Sequence, residues 1–287
     1  MRFFPKCFWW ALSVLLGGSL VACGLLKPQP VQPLPPPATA TSLVLVPPPP
    51  APASPSPLPD SGWQEAEPGL ALRRLHFFQE QKLVLMSIVR IDPHLFRFQV
   101  GYRPEKPLSL EAWANQAAAV AGINGGFFDQ ANQATALVIS GGGASGTSYQ
   151  GQGGMFAVDV QGKVALRSLA DQPYAPDENL QEALQGWPIL IKPGSILAYT
   201  NNEDKELDRR SAVALDQAGQ VLLIASWGSP FTLAGFAQWL SQSDLEIDAA
   251  LNLDGGSSTG LYLQSGPQRD YIPAFVPLPL VLLVLPQ

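Results

Sequence analysis

The chain has 287 residues, 46% of them hydrophobic and 14% charged, which is ample for a sizeable core. With a formal net charge of −6, nothing points to the basic face on which nucleic-acid binders depend. Only 2 cysteines and 2 histidines are present, so cysteine-based metal or redox chemistry and a His-based zinc site are not expected.

The first segment reads as an export signal. Arg2 and Lys6 form a basic start, residues 8–21 are apolar and uncharged, and Leu20-Val21-Ala22-Cys23 follows. That tetrapeptide resembles a bacterial lipobox, whose cysteine is lipidated and becomes the first residue after cleavage. The apolar run is shorter than the roughly 20 residues of a spanning helix, and a small-residue cleavage site follows it. An uncleaved signal anchor is the alternative. The expectation is a lipoprotein signal over 1–22 and a protein exported and held at a membrane by lipid on Cys23, facing the periplasm or the cell surface. Gly24 stands where an inner-membrane retention signal carries Asp, which favours the outer membrane in a cell that has one. Cys7 is lost with the signal, leaving a mature domain without thiol or disulfide. Residues 23–60 hold about half of the 29 prolines and almost no charge. Runs such as Pro47-Pro48-Pro49-Pro50 favour extended polyproline II, a stiff spacer, or else a ligand for a proline-binding module. A single folded domain is expected over 61–287.

Within that domain, residues 70–75 and 81–91 read as strands. In the second, Leu83, Leu85, Ser87 and Val89 alternate with Val84, Met86 and Ile88, which predicts burial of both faces. Asp92-Pro93-His94 is a turn, and Phe96, Phe98 and Val100 alternate with Arg97 and Gln99 as a half-buried strand. Ser109 is placed to cap an Ala-rich helix over 110–120. Strands are expected over 135–140, 155–160 and 163–168, the last two joined by the hairpin signal Gln161-Gly162. Residues 141–154 read as a loose loop, and Asp177 as the cap of a short helix to 184. Residues 187–191 read as a strand ended by Pro193-Gly194. A hairpin pairs 211–215 with 220–226. Thr232 caps a helix with Leu233, Phe236, Ala237 and Leu240 on one stripe. Strands are again expected at 249–251, at 260–263 and toward 285. The summed pattern predicts an α+β fold, a curved mixed β-sheet with a few helices packed against it.

Two stretches carry the chemistry. Asn252-Leu253-Asp254-Gly255-Gly256-Ser257-Ser258-Thr259 connects two apolar strands, and Asn124-Gly125-Gly126-Phe127-Phe128-Asp129 has the same pattern. Glycines there let backbone N–H groups face a ligand, and an acid at a strand end is held rigidly. Arg209-Arg210 begins another strand, where a guanidinium can grip phosphate. Read alone, the glycine turns are also compatible with plain hairpins and the arginines with a solvated pair. No Gly-x-Ser-x-Gly elbow is present, and His76 and His94 lie away from both turns.

In order, Asn124-Gly125-Gly126-Phe127-Phe128, Arg210-Ser211-Ala212-Val213 and Leu251-Asn252-Leu253-Asp254-Gly255-Gly256 with Ser258 resemble the phosphodiester glycosidase family. The resemblance extends over about 70–285. The family often has a third glycine where this chain has Ser257, and usually glycine where it has Ala214. The resemblance implies an envelope-anchored hydrolase of sugar-1-phosphodiester linkages in polysaccharide or envelope glycans. The alternatives are a non-catalytic glycan-binding lipoprotein and a transferase on phosphate-linked envelope polymers. It implies Asp254 as the reaction-centre carboxylate, Arg210 on phosphate, Asn124 positioning sugar or phosphate, and Ser258 orienting Asp254 or donating to phosphate. Gly125, Gly126, Asp129, Asn252, Gly255, Gly256 and Ser257 are the implied substrate contacts. Glu111 is a second candidate carboxylate or a solvent-facing helix residue. No cofactor is required, although Asp254 and Asn252 offer oxygens to a divalent cation. Trp187, Trp227 and Trp239 are available to stack on sugars or to fill the core.

Overall fold

A computed structural model describes residues 60–79 and 81–287. The expected signal peptide, Cys23 and nearly all of the proline-rich spacer lie outside the described residues. The first strands are β1 (Gln64–Glu67), β2 (Leu70–Gln79), β3 (Lys82–Ile91) and β4 (Phe96–Tyr102), followed by helix α1 (Leu110–Ala117) and β5 (Ala121–Asn124). Next come β6 (Val138–Ser140), β7 (Gly143–Ser145), β8 (Gly154–Asp159), β9 (Val164–Ser168), β10 (Leu180–Gly186), β11 (Ile189–Lys192) and β12 (Ile196–Leu197). The chain closes with β13 (Ser211–Asp216), β14 (Val221–Ser226), α2 (Leu233–Gln242), β15 (Ile247–Asn252), β16 (Leu261–Ser265), β17 (Gln268–Ile272) and β18 (Leu280–Pro286).

These strands make three sheets. Their orders are β1-β2-β3-β14-β13-β15-β11-β12, then β7-β6-β10-β8-β9, then β17-β16-β5-β18-β4. The fold is therefore mostly β, with 47% of the described residues in strand and 9% in helix in one domain, rather than an α+β fold on one mixed sheet. Strand pairing explains the difference. Helix α2 joins β14 to β15, but β13 lies between them and pairs antiparallel with both. Helix α1 joins β4 to β5, and the C-terminal β18 lies between those two in the same way. Each helix is thus a crossover between parallel strands, as its flanking pattern suggests, and an inserted third strand converts every contact to antiparallel.

The main core lies where the sheets face one another and takes Leu72, Val89, Phe98, Ile123, Phe156, Val213, Leu251 and Leu282 from all three. The helices cover the outer faces. Thr232 caps α2 through the Gly235 N–H, and Leu233, Phe236, Ala237 and Leu240 are buried against Ile88, Ala214, Ile224 and Ala250. Ser109 caps α1 through the Ala112 N–H, and Leu110, Trp113 and Ala114 pack on Val281 and Leu283. Burial on both faces is why β14 and β18 are continuous apolar runs; each fully buried large aliphatic contributes ~1.5–3 kcal/mol.

Several local expectations change. Helix α1 ends at Ala117, three residues early, because Ala118 turns left-handed (φ 54°) and the chain enters β5. In β3, Leu83 is exposed and Leu85 half-buried, so two-sided burial starts only at Met86. Residues 180–186 are strand β10 in the middle of a sheet, not a helix. There the buried Glu182 carboxylate accepts the Val100 and Gly141 N–H groups at 2.8 and 3.1 Å, tying β10 to its surroundings. The Gln185 side chain accepts the Tyr149 N–H and donates to Ser148 Oγ. These long-range bonds override a locally helical pattern. No helix among the described residues is long and apolar enough to cross a membrane.

Candidate active site

Strands β5 and β15 belong to different sheets, and each ends at one of the two glycine turns. The fold brings the turns together through the backbone. The Asp254 N–H donates to Gly125 O at 3.0 Å. Asn124 Nδ2 donates to Asp254 O at 2.7 Å, and Asn124 Oδ1 accepts the Gly260 N–H at 3.0 Å. Ser211 Oγ, from β13, donates to the same Asp254 carbonyl at 2.9 Å. The backbone of residue 254 is thus fixed from the end of β5 and from β13, and its side chain lines a pocket.

The pocket has a volume of about 750 Å³. Asp254, Gly255, Gly256, Ser257 and Ser258 form one wall, and Phe128, Asp129, Gln130 and Asn132 another. Pro107, Val276 and Pro277 supply an apolar side, and Asp208 completes the lining. Burial lifts the Asp254 carboxyl from its ordinary 3.8 to about 6. The Ser258 hydroxyl and the Gly255 N–H pull in the opposite direction, and the charge of Asp208 adds to the rise. A carboxyl of this kind changes charge close to neutral pH, as acid–base and electrostatic catalysis require.

Asp208 was not legible as a site residue. The pairing of Ala212 with Asn252 continues beyond the strand ends, with the Leu253 N–H on Ser211 O and the Gly256 N–H on Arg209 O. That register sets residue 208 beside residue 256. Gly256 is left-handed (φ +59°), and a Cβ there would stand 2.8 Å from Asp208 Oδ2. Pairing the two strands in register is the one signal that would have found this second carboxylate.

The other expected site residues separate into groups. Ser257 and Ser258 line the pocket beside Asp254. Asp129 also lines it, although its Oδ1 accepts the Ala131 and Gln133 N–H groups and so shapes its own turn. Asn124 is fully buried, with both ends of its amide spent on the clamp, so it positions Asp254 instead of touching a ligand. Gly125 donates its N–H to Leu280 O, and a Cβ on Gly126 would collide with the Gln185 carbonyl. These glycines allow close packing of sheets and are not a ligand cradle. Asn252 is buried, donates Nδ2 to Trp187 O at 2.8 Å, and does not line the pocket. Glu111 is exposed on the first turn of α1, where its charge acts on Tyr262 and Tyr271, and it also lies outside the pocket. Among the described residues no group of three or more His, Cys, Asp or Glu side chains is arranged to hold a metal ion.

Arg210 is half-buried behind Gly255. Its Nε donates to Phe231 O and its Nη2 to Glu206 O, at 3.2 and 2.8 Å, while Nη1 lies 3.7 Å from the place a Gly255 Cβ would take. Burial lowers its pKa, and the charges of Asp208, Asp204 and Glu206 oppose that. Two of its donors are thus committed to carbonyls, and Arg210 stands next to the Gly255 backbone without itself lining the pocket. Of the tryptophans, Trp239 stacks on Phe77 and Phe236, Trp187 meets Tyr199 edge-on, and Trp227 is partly exposed; none lines the pocket.

A larger cavity of about 840 Å³ lies elsewhere, lined by Arg97, Gln99, Lys163 and Glu182. Both carboxylate oxygens of Glu182 already accept backbone N–H groups, and neither glycine turn reaches it. The smaller pocket therefore holds the available chemistry.

The phosphodiester glycosidase family profile matches residues 117–282, from the end of α1 into the start of β18. The chain belongs to that family. Its fold is similar to the catalytic domain of zebrafish N-acetylglucosamine-1-phosphodiester alpha-N-acetylglucosaminidase, solved auto-inhibited by its pro-peptide. The likeness has 18% identity, covers 78% of this chain and 86% of that one, and gives a TM-score of 0.62. A hypothetical protein from Synechocystis is similar at 17% identity over 77% of this chain and 62% of that one, with a TM-score of 0.54. Comparison with curated proteins gives no match. As a phosphodiester glycosidase family member, the chain carries the Asp254 turn and the Arg210 strand inside the matched region, and Phe275 to Pro277 as well.

Proposed function

We propose that this protein hydrolyses glycosyl phosphodiesters, with the bond between sugar C1 and the phosphate oxygen broken at Asp254. The observation that carries the reading is the Asp254 carboxyl, raised to about 6 and held from β5 and β13 at the wall of a pocket, in a chain of the phosphodiester glycosidase family. The zebrafish relative's named substrate class, an N-acetylglucosamine 1-phosphodiester, supports the same bond type.

The chemistry follows from the leaving group. A phosphate monoester has a second pKa of about 6 and departs with little protonation. An ordinary glycosidase needs a second carboxyl as acid for an alcohol leaving group, and that demand falls away here. Asp254, ionised above pH about 6, takes a proton from the attacking water while the water oxygen bonds to C1. The C1–O electron pair leaves with the phosphate. Arg210, through the Nη1 edge beside Gly255, stabilises the developing phosphate charge. Asn124 and Ser211 hold the Asp254 backbone still during this step. The products are a free sugar and a phosphate monoester, and the proton returns from Asp254 to solvent.

The test is release of free sugar from a panel of sugar-1-phosphodiesters by wild type and by Asp254→Asn. Wild type is expected to release sugar and the variant to be about 10²–10⁴-fold slower. Equal release by both, or none by wild type across the panel, removes the proposal. Adding a glycan acceptor to the same assay separates hydrolysis from transfer. We also propose that Cys23 carries lipid and holds the domain at an envelope membrane, on the strength of the basic start, the apolar run and Leu-Val-Ala-Cys. Cys23→Ala is expected to abolish incorporation of labelled fatty acid into the protein, and incorporation that persists would remove this part of the proposal.

A further inference from the structure

We propose that Phe275 is the stacking platform for a pyranose ring of the substrate, set at the rim of the pocket and backed by Arg209. This deepens the glycosyl phosphodiester reading and rests on it for the identity of the ligand as a sugar.

Phe275 is 72% exposed. An exposed apolar side chain is ordinary on a protein surface; a fixed one beside a pocket is not. Its N–H donates to Ser257 O at 2.7 Å, which ties it to the Asp254 turn, and the next two residues, Val276 and Pro277, line the pocket. The Arg209 guanidinium sits 4.2 Å from the ring centroid, within cation–π range. Arg209 is only 5% exposed, donates Nη2 to Pro273 O at 2.9 Å, and finds no partner among the described residues for Nε or Nη1. A cation buried with two unpaired donors costs free energy, and its contact with the ring is the interaction this arrangement provides in return. One ring face is thereby occupied and immobilised, and the other is open to solvent. The axial C–H face of a pyranose carries slightly positive hydrogens and little polarity, which suits the negative face of a phenyl ring. A ring pre-positioned by a buried cation gives up little conformational entropy when a sugar stacks on it.

Equilibrium binding tests this without turnover. Wild type, Phe275→Ala and Phe275→Trp are titrated with a panel of methyl pyranosides and with inorganic phosphate, and each variant's melting temperature is checked against wild type. Wild type is expected to bind pyranosides of the panel, Phe275→Ala to bind them about tenfold more weakly, and Phe275→Trp to restore binding. Phosphate affinity is expected to be the same in all three. The platform is overturned if Phe275→Ala binds pyranosides as wild type does, if it loses phosphate to the same degree, or if wild type binds no pyranoside. Phe275-dependent sugar binding in a protein that cleaves no phosphodiester would remove the hydrolase reading and leave the platform standing.

Discussion

The two glycine turns share a local plan and have opposite roles. Each follows a strand, a crossover helix and a second strand: β4, α1 and β5 lead to Asn124-Gly125-Gly126, and β14, α2 and β15 lead to Asp254-Gly255-Gly256. The first turn is buried, the Asn124 side chain and the Gly125 N–H are consumed, and its glycines exist because β18 and the Gln185 carbonyl come too close for a Cβ. The second is partly open, lines a pocket and carries the raised carboxyl. What separates them is what lies in front of each one. The C-terminal β18 and β10 cover the first, whereas the second meets Asp208 and the Phe275 loop and leaves room between them. A Gly-Gly turn is thus a permissive backbone, and its surroundings decide whether the permission serves packing or chemistry.

The largest expected effect that breaks this symmetry is at Asp254. Besides losing sugar release, Asp254→Asn is expected to be more stable than wild type. The folded pKa of about 6 lies above the ordinary 3.8, so the folded state favours the protonated acid. Its contribution to stability is therefore full below pH about 4 and is lost as pH rises through about 6. At neutral pH the cost is on the order of 3 kcal/mol before relaxation, and the neutral amide removes much of it. Urea unfolding at pH 7 is expected to give a gain of about 1–3 kcal/mol, shrinking toward zero at pH 4. A less stable variant at pH 7 would mean that the site is not strained by its charge.

A matched pair of alanines divides scaffold from site. Gly126→Ala drives a Cβ into backbone, which cannot yield as a side chain can. It is expected to cost about 3 kcal/mol or more in urea unfolding. Gly256→Ala meets only the end of the Asp208 side chain, although its φ of +59° strains a non-glycine residue. About 1 kcal/mol of stability should be lost there, together with a larger relative loss of kcat/KM, as the Asp208 carboxylate is pushed across the pocket. If Gly126→Ala folds normally but is inactive, the assignment of the two turns is reversed.

Local rules carried far into this chain. Ser109 and Thr232 cap their helices as the sequence indicates, because a cap is satisfied within four residues. The β8–β9 and β13–β14 hairpins are equally local, and Gly162 and Gly219 take the positive φ their turns require. Strand order was not readable. The insertions of β13 and β18 between crossover partners are decided by residues far apart in sequence, and they turned an expected mixed sheet antiparallel. The place of Asp254 on the pocket wall follows a local pattern, an acid before two glycines at a strand end. Glu111 is a solvent-facing residue on a helix's first turn, one of the two readings its sequence allows, and an acid there already has a role against the N-terminal dipole. The hexapeptide around Asn124 points that residue at a ligand because burial cannot be seen in so short a stretch.

Asp208 gives the smallest effect and the sharpest test of the comparison, since the Asn124 turn has no carboxylate facing it in this way. Removing its charge in Asp208→Asn leaves Gly256, Ser258 and the backbone clamp in place. The Asp208 charge contributes to raising Asp254, so its loss must move that pKa down from about 6 toward 3.8. Activity depends on ionised Asp254, so the acidic limb of the kcat/KM profile is expected to shift to lower pH. The direction has a visible consequence: near pH 5 the variant should outperform wild type relative to each enzyme's own plateau, while above pH 7, where Asp254 is ionised in both, the two profiles run parallel. Desolvation is the larger cause of the rise, so the shift should be only part of the full displacement. An acidic limb that stays in place would separate Asp208 electrostatically from Asp254, and a limb that moves upward would make Asp254 something other than the ionised group of the reaction.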